Sequence, residues 1–296
     1  MNHDVLLIIF GVGVGLLVGM TGVGGGSIMT PLLVLVAGVP PVSAIGTDLF
    51  YAAVTKTVGG ASHWKKSTVD VRLSLQLAVG SVPAALGAVW LLHSLQGSIG
   101  VSIDTPLIAA VAVAIGICGV AMFWQTVSPP AVRPDRAPRH QFIAAIVSGL
   151  LVGFVLGLTS AGSGAILALL LIAVFQLAPH RVVGTDVFHA ALLLWAAAIG
   201  NMILGNVNYT MSAFLLLGSI PGVLLGARLS VRLPALAIRL ALAGVLLAAA
   251  VSLAVKAGLP LPPLALLGWF LIVLTSIIIV YRRVRPIAAK SVGEIA

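Results

Sequence analysis

The chain has 296 residues, of which 60% are hydrophobic and only 8% are charged, and its formal net charge is +9. A soluble domain has about 25% charged residues, so this composition excludes a soluble globular protein and predicts an integral membrane protein. The positive charge does not indicate nucleic acid as a partner, because the basic residues stand in short segments between apolar runs, where they set membrane orientation. The single cysteine, Cys118, lies in an apolar run and cannot form an internal disulfide.

The chain opens with an apolar unit, about residues 5–37, that is interrupted near its middle by the motif Thr21-Gly22-Val23-Gly24-Gly25-Gly26-Ser27. A single helix over this unit would be roughly 50 Å long. That length overshoots a hydrocarbon core of about 30 Å unless the helix is strongly tilted. We therefore favour a helical hairpin folded at the glycines over a single kinked helix. The glycines that precede the motif are expected to allow close helix packing, and they are Gly11, Gly13, Gly15 and Gly19.

Three apolar segments of spanning length follow, at about 44–63, 71–92 and 105–126. The first begins with Gly46-Thr47-Asp48 and carries Lys56 near its centre. A charge at the membrane centre costs about 2.5–3.5 kcal/mol on insertion scales, so such residues are expected to face a cavity or a partner. Asp48 either serves a function or caps a helix N-terminus.

Lys56 has two interpretations. It can supply positive charge for an anionic substrate, or it can pair with Asp48 or Asp186 and steady the packing. It lies eight residues after Asp48, on roughly one helix face, which would allow the two charges to neutralise each other. The position that corresponds to Lys56 in the second copy of the repeat described next is Leu194, so no second lysine is expected there.

The same order of motifs returns after a fixed offset of 138 residues. A second broken unit, about 141–178, contains Thr159-Ser160-Ala161-Gly162-Ser163-Gly164 and precedes spans at about 183–203, 210–227 and 235–256. The block Gly184-Thr185-Asp186 repeats Gly46-Thr47-Asp48, and Gly218-Ser219-Ile220-Pro221 repeats Gly80-Ser81-Val82-Pro83. One register without gaps indicates an internal duplication, which is typical of secondary transporters when both copies contain a broken helix. A last span is predicted at about 262–281.

Basic residues predict the orientation, because cytoplasmic segments between spans are enriched in Lys and Arg. Segments 38–43, 93–104 and 204–209 have neither and are expected outside. Span 44–63 then runs inward and span 183–203 outward, so the two halves are inverted and each broken unit returns to the side from which it entered. The basic residues that we expect to be cytoplasmic are Lys65, Lys66, Arg133, Arg136, Arg139, His180, Arg181, Arg228, Arg232, Arg282, Arg283 and Arg285.

The two glycine-rich motifs are predicted to form an anion site inside the bilayer. Non-helical backbone at membrane depth is tolerated only where it is buried in protein or lines a wet cavity. A helix that restarts after such a turn presents free N–H groups and the positive end of its dipole, which suit a small oxyanion. The alternative is that the glycines only allow close packing. Hydroxyl groups that could add donors to the site belong to Thr21, Ser27, Thr159 and Ser163.

His189 follows Asp186 by about one helical turn. It could share a proton with Asp186 and couple transport to a proton gradient. The alternative, which is the more frequent case, is a buried histidine held by hydrogen bonds. The residues that we assign to coupling or gating are Thr47, Asp48, Thr185, Asp186 and His189.

The motif Thr21–Ser27, Pro31, the block Gly46-Thr47-Asp48, the weaker second copy and the basic central segment resemble the TauE/SafE family of membrane permeases. The resemblance covers about Val5 to Arg283. It implies transport of sulfur-containing anions such as sulfite, sulfoacetate and other organosulfonates across the bacterial inner membrane. The second motif, Ser160–Gly164, has fewer glycines than the first, so equal roles for the two are not expected.

These observations predict an all-α polytopic membrane protein with two inverted-topology repeats. Each repeat is a glycine-broken helical hairpin plus three spanning helices, over 1–126 and 141–256, joined by a basic cytoplasmic linker, 127–140, and followed by a C-terminal spanning helix and tail, 257–296. The predicted function is secondary transport of a small sulfur-containing anion by alternating access, and the alternatives are an anion channel or a carrier of another small anion or solute. The expected substrate-binding residues are Thr21, Gly24, Gly25, Gly26, Ser27, Lys56, Thr159, Gly162, Ser163 and Gly164.

No enzyme signature, metal cluster or nucleotide-binding motif stands out in the sequence, so we expect no catalytic residues and no cofactor. The expected partners are a small anionic sulfur compound and the lipid bilayer, with a homodimer as the assembly to be considered, and no nucleic acid. The expected location is the bacterial inner (plasma) membrane, with the N-terminus outside and the C-terminus cytoplasmic.

Overall fold

Ten α-helices occur in the part of the chain that the structure describes. The structure, a computed structural model, describes residues 3–21, 25–65, 68–98, 103–127, 140–162, 164–230 and 235–258, and positions 271, 273, 274 and 278. The helices are α1 (His3–Thr21), α2 (Gly26–Leu35), α3 (Pro41–Lys65), α4 (Val71–Ser98), α5 (Asp104–Val127), α6 (Gln141–Thr159), α7 (Ala165–Ala173), α8 (Pro179–Ile203), α9 (Tyr209–Ser230) and α10 (Ala235–Lys256). These residues contain no strand, so the prediction of an all-α protein is confirmed.

Six of the described helices are long and apolar enough to cross a membrane. Five of these segments coincide with predicted spans, and the sixth, Gln141–Thr159, is the first arm of the second broken unit. α3 covers the predicted span 44–63 but is not among the six, because Asp48 and Lys56 lower its hydropathy. The other five segments are Val71–Gln96, Asp104–Val127, Arg181–Ile203, Tyr209–Gly226 and Leu236–Lys256.

Two predicted segments fall largely outside the described residues. The last span, 262–281, is described only at positions 271, 273, 274 and 278, which are helical. Residues 128–139 of the basic linker are not described, and neither are Lys66, Arg232, Arg282, Arg283 and Arg285.

Both long apolar units are broken at their glycine-rich motifs, as predicted. α1 ends at Thr21 and α2 begins at Gly26, whereas α6 ends at Thr159 and α7 begins at Ala165. In the second break the φ angles of Gly162 and Gly164 are 115° and 105°, a region that glycine alone adopts readily. The sequence therefore allows the chain to turn sharply at this point.

The first broken unit folds back on itself. A Cβ added at Gly25 would lie 2.9 Å from Val14 Cγ1 and 3.2 Å from Val18 Cγ2, so Gly25 packs beside residues far earlier on α1. A continuous helix would carry Gly25 well beyond Val14, at about 1.5 Å per residue. The contact favours the hairpin interpretation over a single kinked helix.

Glycines join helices of the two halves. α1 packs along α9 and α6 packs along α4. A methyl group added at Gly11, Gly15 or Gly19 of α1 would overlap backbone atoms of α9. The packing role predicted for these three glycines agrees with this arrangement. For Gly13 the packing prediction is wrong, because a methyl group there would meet no atom within 4 Å.

The same glycine contacts recur in the other half at the repeat offset. A methyl group at Gly149, Gly153 or Gly157 of α6 would overlap backbone atoms of α4. The contact of Gly15 with Ser219 has its counterpart in the contact of Gly153 with Ser81, and each residue is shifted by the offset of 138. Each half thus places its first helix against the fourth helix of the other half.

The long helices α3 and α8 cross at the centre of the molecule and run in opposite directions. The rings of Phe50 and Trp195 are 6.1 Å apart, and those of Trp64 and Phe188 are 5.1 Å apart. Residues later on α3 therefore face residues earlier on α8. Trp195 Nε1 also donates a hydrogen bond of 2.8 Å to Thr57 Oγ1. This crossing carries both Gly-Thr-Asp blocks to the middle of the fold.

Candidate functional site

Each aspartate of the repeated Gly-Thr-Asp block contacts the short helix that follows the break in its own half. Asp48 Oδ2 accepts hydrogen bonds from Thr30 N at 3.1 Å and Thr30 Oγ1 at 2.5 Å. Asp186 Oδ1 accepts a hydrogen bond of 3.1 Å from Gly164 N, at the start of α7. Both carboxylates are buried. They therefore link the central helices α3 and α8 to the broken helices α2 and α7.

The alternative that these aspartates cap their own helices is wrong. α3 begins at Pro41 and α8 at Pro179, so Asp48 and Asp186 each lie in the second turn or later. The residue that precedes α8 is Ala178, which has no capping side chain. The carboxylates instead accept hydrogen bonds from Thr30 of α2 and from Gly164, which directly precedes α7.

Lys56 pairs with Asp186, across the interface between the halves. Its Nζ lies 3.4 Å from Asp186 Oδ2, and both side chains are 6% exposed. The expectation that Lys56 neutralises Asp48 is wrong, since eight residues correspond to about 12 Å along a helix, which separates their side chains. A distance of 3.4 Å exceeds the roughly 2.7–2.9 Å of a tight charged hydrogen bond. The ammonium group therefore retains hydrogen-bonding capacity for another acceptor.

The two broken units meet each other. We call segment 21–27 the first tip and segment 159–164 the second tip. A Cβ added at Gly26 would lie 2.7 Å from Ser160 O and 3.4 Å from Ser160 Oγ. Any residue other than glycine at position 26 would thus collide with the backbone of the second tip. The prediction that the tips come together agrees with this contact.

Two buried oxygens at this junction have no hydrogen-bond partner among the described residues: Asp48 Oδ1 and Ser160 Oγ. The two side chains lie close to the same point, because a Cβ added at Gly26 would lie 3.8 Å from Asp48 Oδ2 and 3.4 Å from Ser160 Oγ. Buried polar atoms are normally paired, and leaving one unpaired costs about 1–3 kcal/mol. An additional bound group would therefore find hydrogen-bonding partners here.

The helices that start at the tips have no side-chain caps. The residues before α2 and α7 are Gly25 and Gly164, which cannot cap through a side chain. Their first-turn N–H groups consequently point toward the tips with the positive ends of the helix dipoles. Gly164 N is directed at Asp186, as described above.

Thr47 and Thr185 connect the central helices to the opposite half. Thr47 Oγ1 accepts a hydrogen bond of 3.1 Å from Asn208 N, and Thr185 Oγ1 accepts one of 2.9 Å from Asp70 N. Asp70 and Asn208 are themselves repeat equivalents. The two threonines thus hold α3 to the start of α9 and α8 to the start of α4.

His189 is held by two hydrogen bonds. Its Nδ1 donates to Ser74 O at 3.1 Å, and its Nε2 lies 3.3 Å from Ser81 Oγ. The imidazole is fully buried. Since both ring nitrogens have partners other than Asp186, the structure has the alternative arrangement that we described, a hydrogen-bonded buried histidine.

Tyr51, which the sequence analysis missed, occupies the position equivalent to His189 in the first half. Its hydroxyl group lies 2.6 Å from Ser219 Oγ, just as His189 lies beside Ser81. Both serines belong to the repeated Gly-Ser-x-Pro block, to which we gave no role. The repeat offset was therefore the signal that would have linked Tyr51 and His189 to these serines.

The remaining predicted site residues differ in their surroundings. Thr159 Oγ1 donates a hydrogen bond of 2.6 Å to Val155 O, so the expectation that this hydroxyl is a free donor is wrong. Gly25 packs against Val14, Val18 and Tyr51. Ser27 is buried near Cys118, which also approaches the backbone of Gly162. Gly24, Ser163 and the side chain of Thr21 lie outside the described residues.

Comparison with known proteins gives a family match over most of the chain. The family described as Sulfite exporter TauE/SafE matches residues 7–253. The Probable membrane transporter protein YjnA of Bacillus subtilis (strain 168) is 38% identical over 254 residues, which cover 84% of this chain and 99% of that protein. The Probable membrane transporter protein YdhB of the same organism is 23% identical over 241 residues, which cover 77% of this chain and 91% of that protein. No solved structure matches the chain.

Proposed function

The chain belongs to the sulfite exporter TauE/SafE family and is a multi-pass membrane transporter, and from this premise we propose that it moves a small sulfur-containing anion across the bilayer by alternating access. The proposed substrates are sulfite, sulfoacetate or other organosulfonates. The proposed location is the bacterial inner membrane. A transporter of this kind needs a site inside the membrane that opens to one side at a time.

The observation that carries the proposal is the junction of the two tips, where Gly26 lies against Ser160. Two helices restart at this junction without side-chain caps, and the positive ends of their dipoles favour an anion. An oxyanion at this point would accept hydrogen bonds from first-turn N–H groups of α2 and from the hydroxyl of Ser160. Lys56, which is paired only loosely with Asp186, would add positive charge.

We further propose that the two halves have inverted orientations in the membrane. The antiparallel crossing of α3 and α8, which are repeat equivalents, supports this arrangement. The basic segments would be cytoplasmic and the N-terminus external. Residues 1–126 and 141–256 would then form the two repeats, with 127–140 as the cytoplasmic linker.

In this proposal the threonine contacts act as gates at opposite ends of the site. The contact of Thr185 with Asp70 would close the cytoplasmic end, where Arg181 also lies 3.2 Å from Asp70 Oδ2. The contact of Thr47 with Asn208 would close the external end. Loosening one contact while the other holds would expose the tips to one side of the bilayer.

The test of the proposed function is counterflow in liposomes that contain the purified protein. Liposomes loaded with unlabelled sulfite or methanesulfonate should accumulate the labelled compound transiently from outside, because a carrier exchanges substrate one for one. Protein-free liposomes are the control. Flux that rises linearly with concentration and shows no counterflow would indicate an anion channel, and no flux of either compound would contradict the proposed substrate class.

A further inference from the structure

We propose that Asp48 binds a proton that travels together with the anion, which makes the protein a proton–anion symporter. The inference rests on the function proposed above. It follows from comparing the surroundings of the two repeat-equivalent carboxylates, Asp48 and Asp186.

The two carboxylates differ in whether the protein itself supplies a cation. Asp186 has Lys56 at 3.4 Å and also accepts a hydrogen bond from Gly164 N. By the repeat offset, the residue that would serve Asp48 in the same way is Leu194, which is fully buried and uncharged. Asp186 therefore has a permanent counter-ion, whereas the equivalent position beside Asp48 is occupied by an aliphatic side chain.

The other titratable groups around Asp48 already have partners. Lys56 pairs with Asp186, the Tyr51 hydroxyl contacts Ser219, and His189 contacts Ser74 and Ser81. Two further titratable residues lie on neighbouring helices. Cys118 of α5 lies beside Ser27 and Gly162, and the ring of Tyr209 of α9 packs on Phe50 at a centroid distance of 5.8 Å. Among the described residues, these are the titratable groups that α3, α5, α8 and α9 bring to this region, and only Lys56 is a cation.

The hydrogen bonds of Asp48 leave one oxygen for a proton. Oδ2 accepts both donors of Thr30, whereas Oδ1 has no partner among the described residues. Ser160 Oγ is likewise buried and has no hydrogen-bond partner among the described residues by distance and angle, and it lies beside Asp48 next to Gly26. A proton on Oδ1 can be donated to Ser160 Oγ or to a bound anion, so protonation supplies the missing donor.

Proton and anion should favour each other at this site. An ionised Asp48 would place a second negative charge beside an anion held at Gly26 and Ser160, in a region from which water is excluded. Neutral Asp48 removes this repulsion, so anion binding increases proton affinity and protonation increases anion affinity by the same factor. Because the two ligands occupy the site together, the conformational change of the loaded carrier takes both across the membrane in the same direction.

The experiment uses the full-length protein in liposomes with methanesulfonate as the probe, because a sulfonate stays ionised and cannot bring its own proton. An inwardly directed proton gradient should drive accumulation of the labelled probe, whereas an inwardly directed sodium gradient at constant pH should not. Accumulation driven by sodium alone, or by the opposite pH gradient, would overturn the proposal. Counterflow is measured in the same liposomes, so that loss of transport is distinguished from loss of coupling.

Variants assign the proton site. In D48N, gradient-driven accumulation relative to counterflow should fall at least about tenfold, and the pH dependence of counterflow should disappear. In the exposed control D104N both should remain as in the natural protein. L194K places a permanent ammonium group at the position that is equivalent to Lys56. It should also abolish the pH dependence of counterflow, and it tests the proton site without altering Asp48. If D48N and L194K, confirmed as monodisperse in detergent, both keep proton-driven accumulation, Asp48 is not the proton site.

Discussion

Gly26 is a residue at which the two described tips are in direct contact. Replacing it by alanine should push Ser160 away, since a methyl group would lie 2.7 Å from its carbonyl oxygen. We expect G26A to reduce the counterflow rate by about tenfold or more, equivalent to at least about 1.4 kcal/mol. Gly13→Ala is the matched control, because a methyl group at position 13 meets no atom within 4 Å. Equal counterflow in both variants would make the tip junction irrelevant to transport.

Lys56 can be tested for its two roles separately. K56M leaves Asp186 buried without its cation, which should lower stability by about 3–5 kcal/mol. The double variant K56M/D186N removes both charges and should restore the melting temperature, because asparagine can still accept the hydrogen bond from Gly164 N.

The affinity of the double variant for sulfite decides between the roles. If Lys56 attracts the anion, the affinity in K56M/D186N should remain at least about tenfold weaker than in the natural protein. Binding can be followed by the shift in melting temperature on addition of sulfite. Restored affinity would show that Lys56 only steadies the packing.

At the residue scale the sequence predicted which side chains matter better than it predicted their partners. Both aspartates and Lys56 stood out because charges are rare inside apolar spans. For Lys56 the sequence left Asp48 and Asp186 as alternative partners, and the structure has Asp186, which lies 130 positions away. Ser160 and Thr30 gave no signal, since a hydroxyl group in an apolar helix or turn is common and only tertiary packing brings these two to Asp48.

The helices α1 and α6 pack closely on their neighbours through glycines. In α6, a methyl group at Gly153 would overlap the backbone of Ser81, so G153A should destabilise the protein by about 1–3 kcal/mol. Gly87→Ala on α4 is the control: nothing lies within 4 Å, and alanine should be neutral or stabilise the helix by about 0.5–1 kcal/mol. Thermal unfolding in detergent measures both. A melting temperature of G153A that matches G87A would contradict the proposed close contact.

At the element scale, most helices and both breaks could be predicted. Span length and the interruption by glycines are local properties of the sequence, and the predicted starts and ends of five spans lie within six residues of the helix ends in the structure. Which helices become neighbours is not local. That α1 packs on α9 of the other half depends on how glycine faces fit together, and hydropathy contains no information about that choice.

For the whole molecule, the proposed inverted orientation predicts opposite accessibility for equivalent positions. Arg72 at the start of α4 and Thr210 at the start of α9 are repeat equivalents, and both are exposed. Cysteine at position 72 should react with a membrane-impermeant maleimide only from the cytoplasmic side, and cysteine at position 210 only from outside. The measurement compares intact cells with inverted membrane vesicles.

The buried native Cys118 should contribute little labelling, and Cys118→Ser provides the background for both variants. Reaction of positions 72 and 210 from the same side would rule out inverted halves. It would also require a different arrangement for the two broken units, since their orientation was deduced from the same distribution of basic residues.

The ion pair between Lys56 and Asp186 joins two halves that have the same order of helices but different charged residues. This difference has an evolutionary consequence. A symmetric assembly of two first halves would carry a lysine for each aspartate, and one of two second halves would carry none. Unlike copies instead give one acid that is paired with a lysine and one acid that has no lysine beside it. Gene duplication followed by divergence would then have confined the proton site to one half, whereas in chains of half this length that assemble as homodimers both acids should have the same counter-ion.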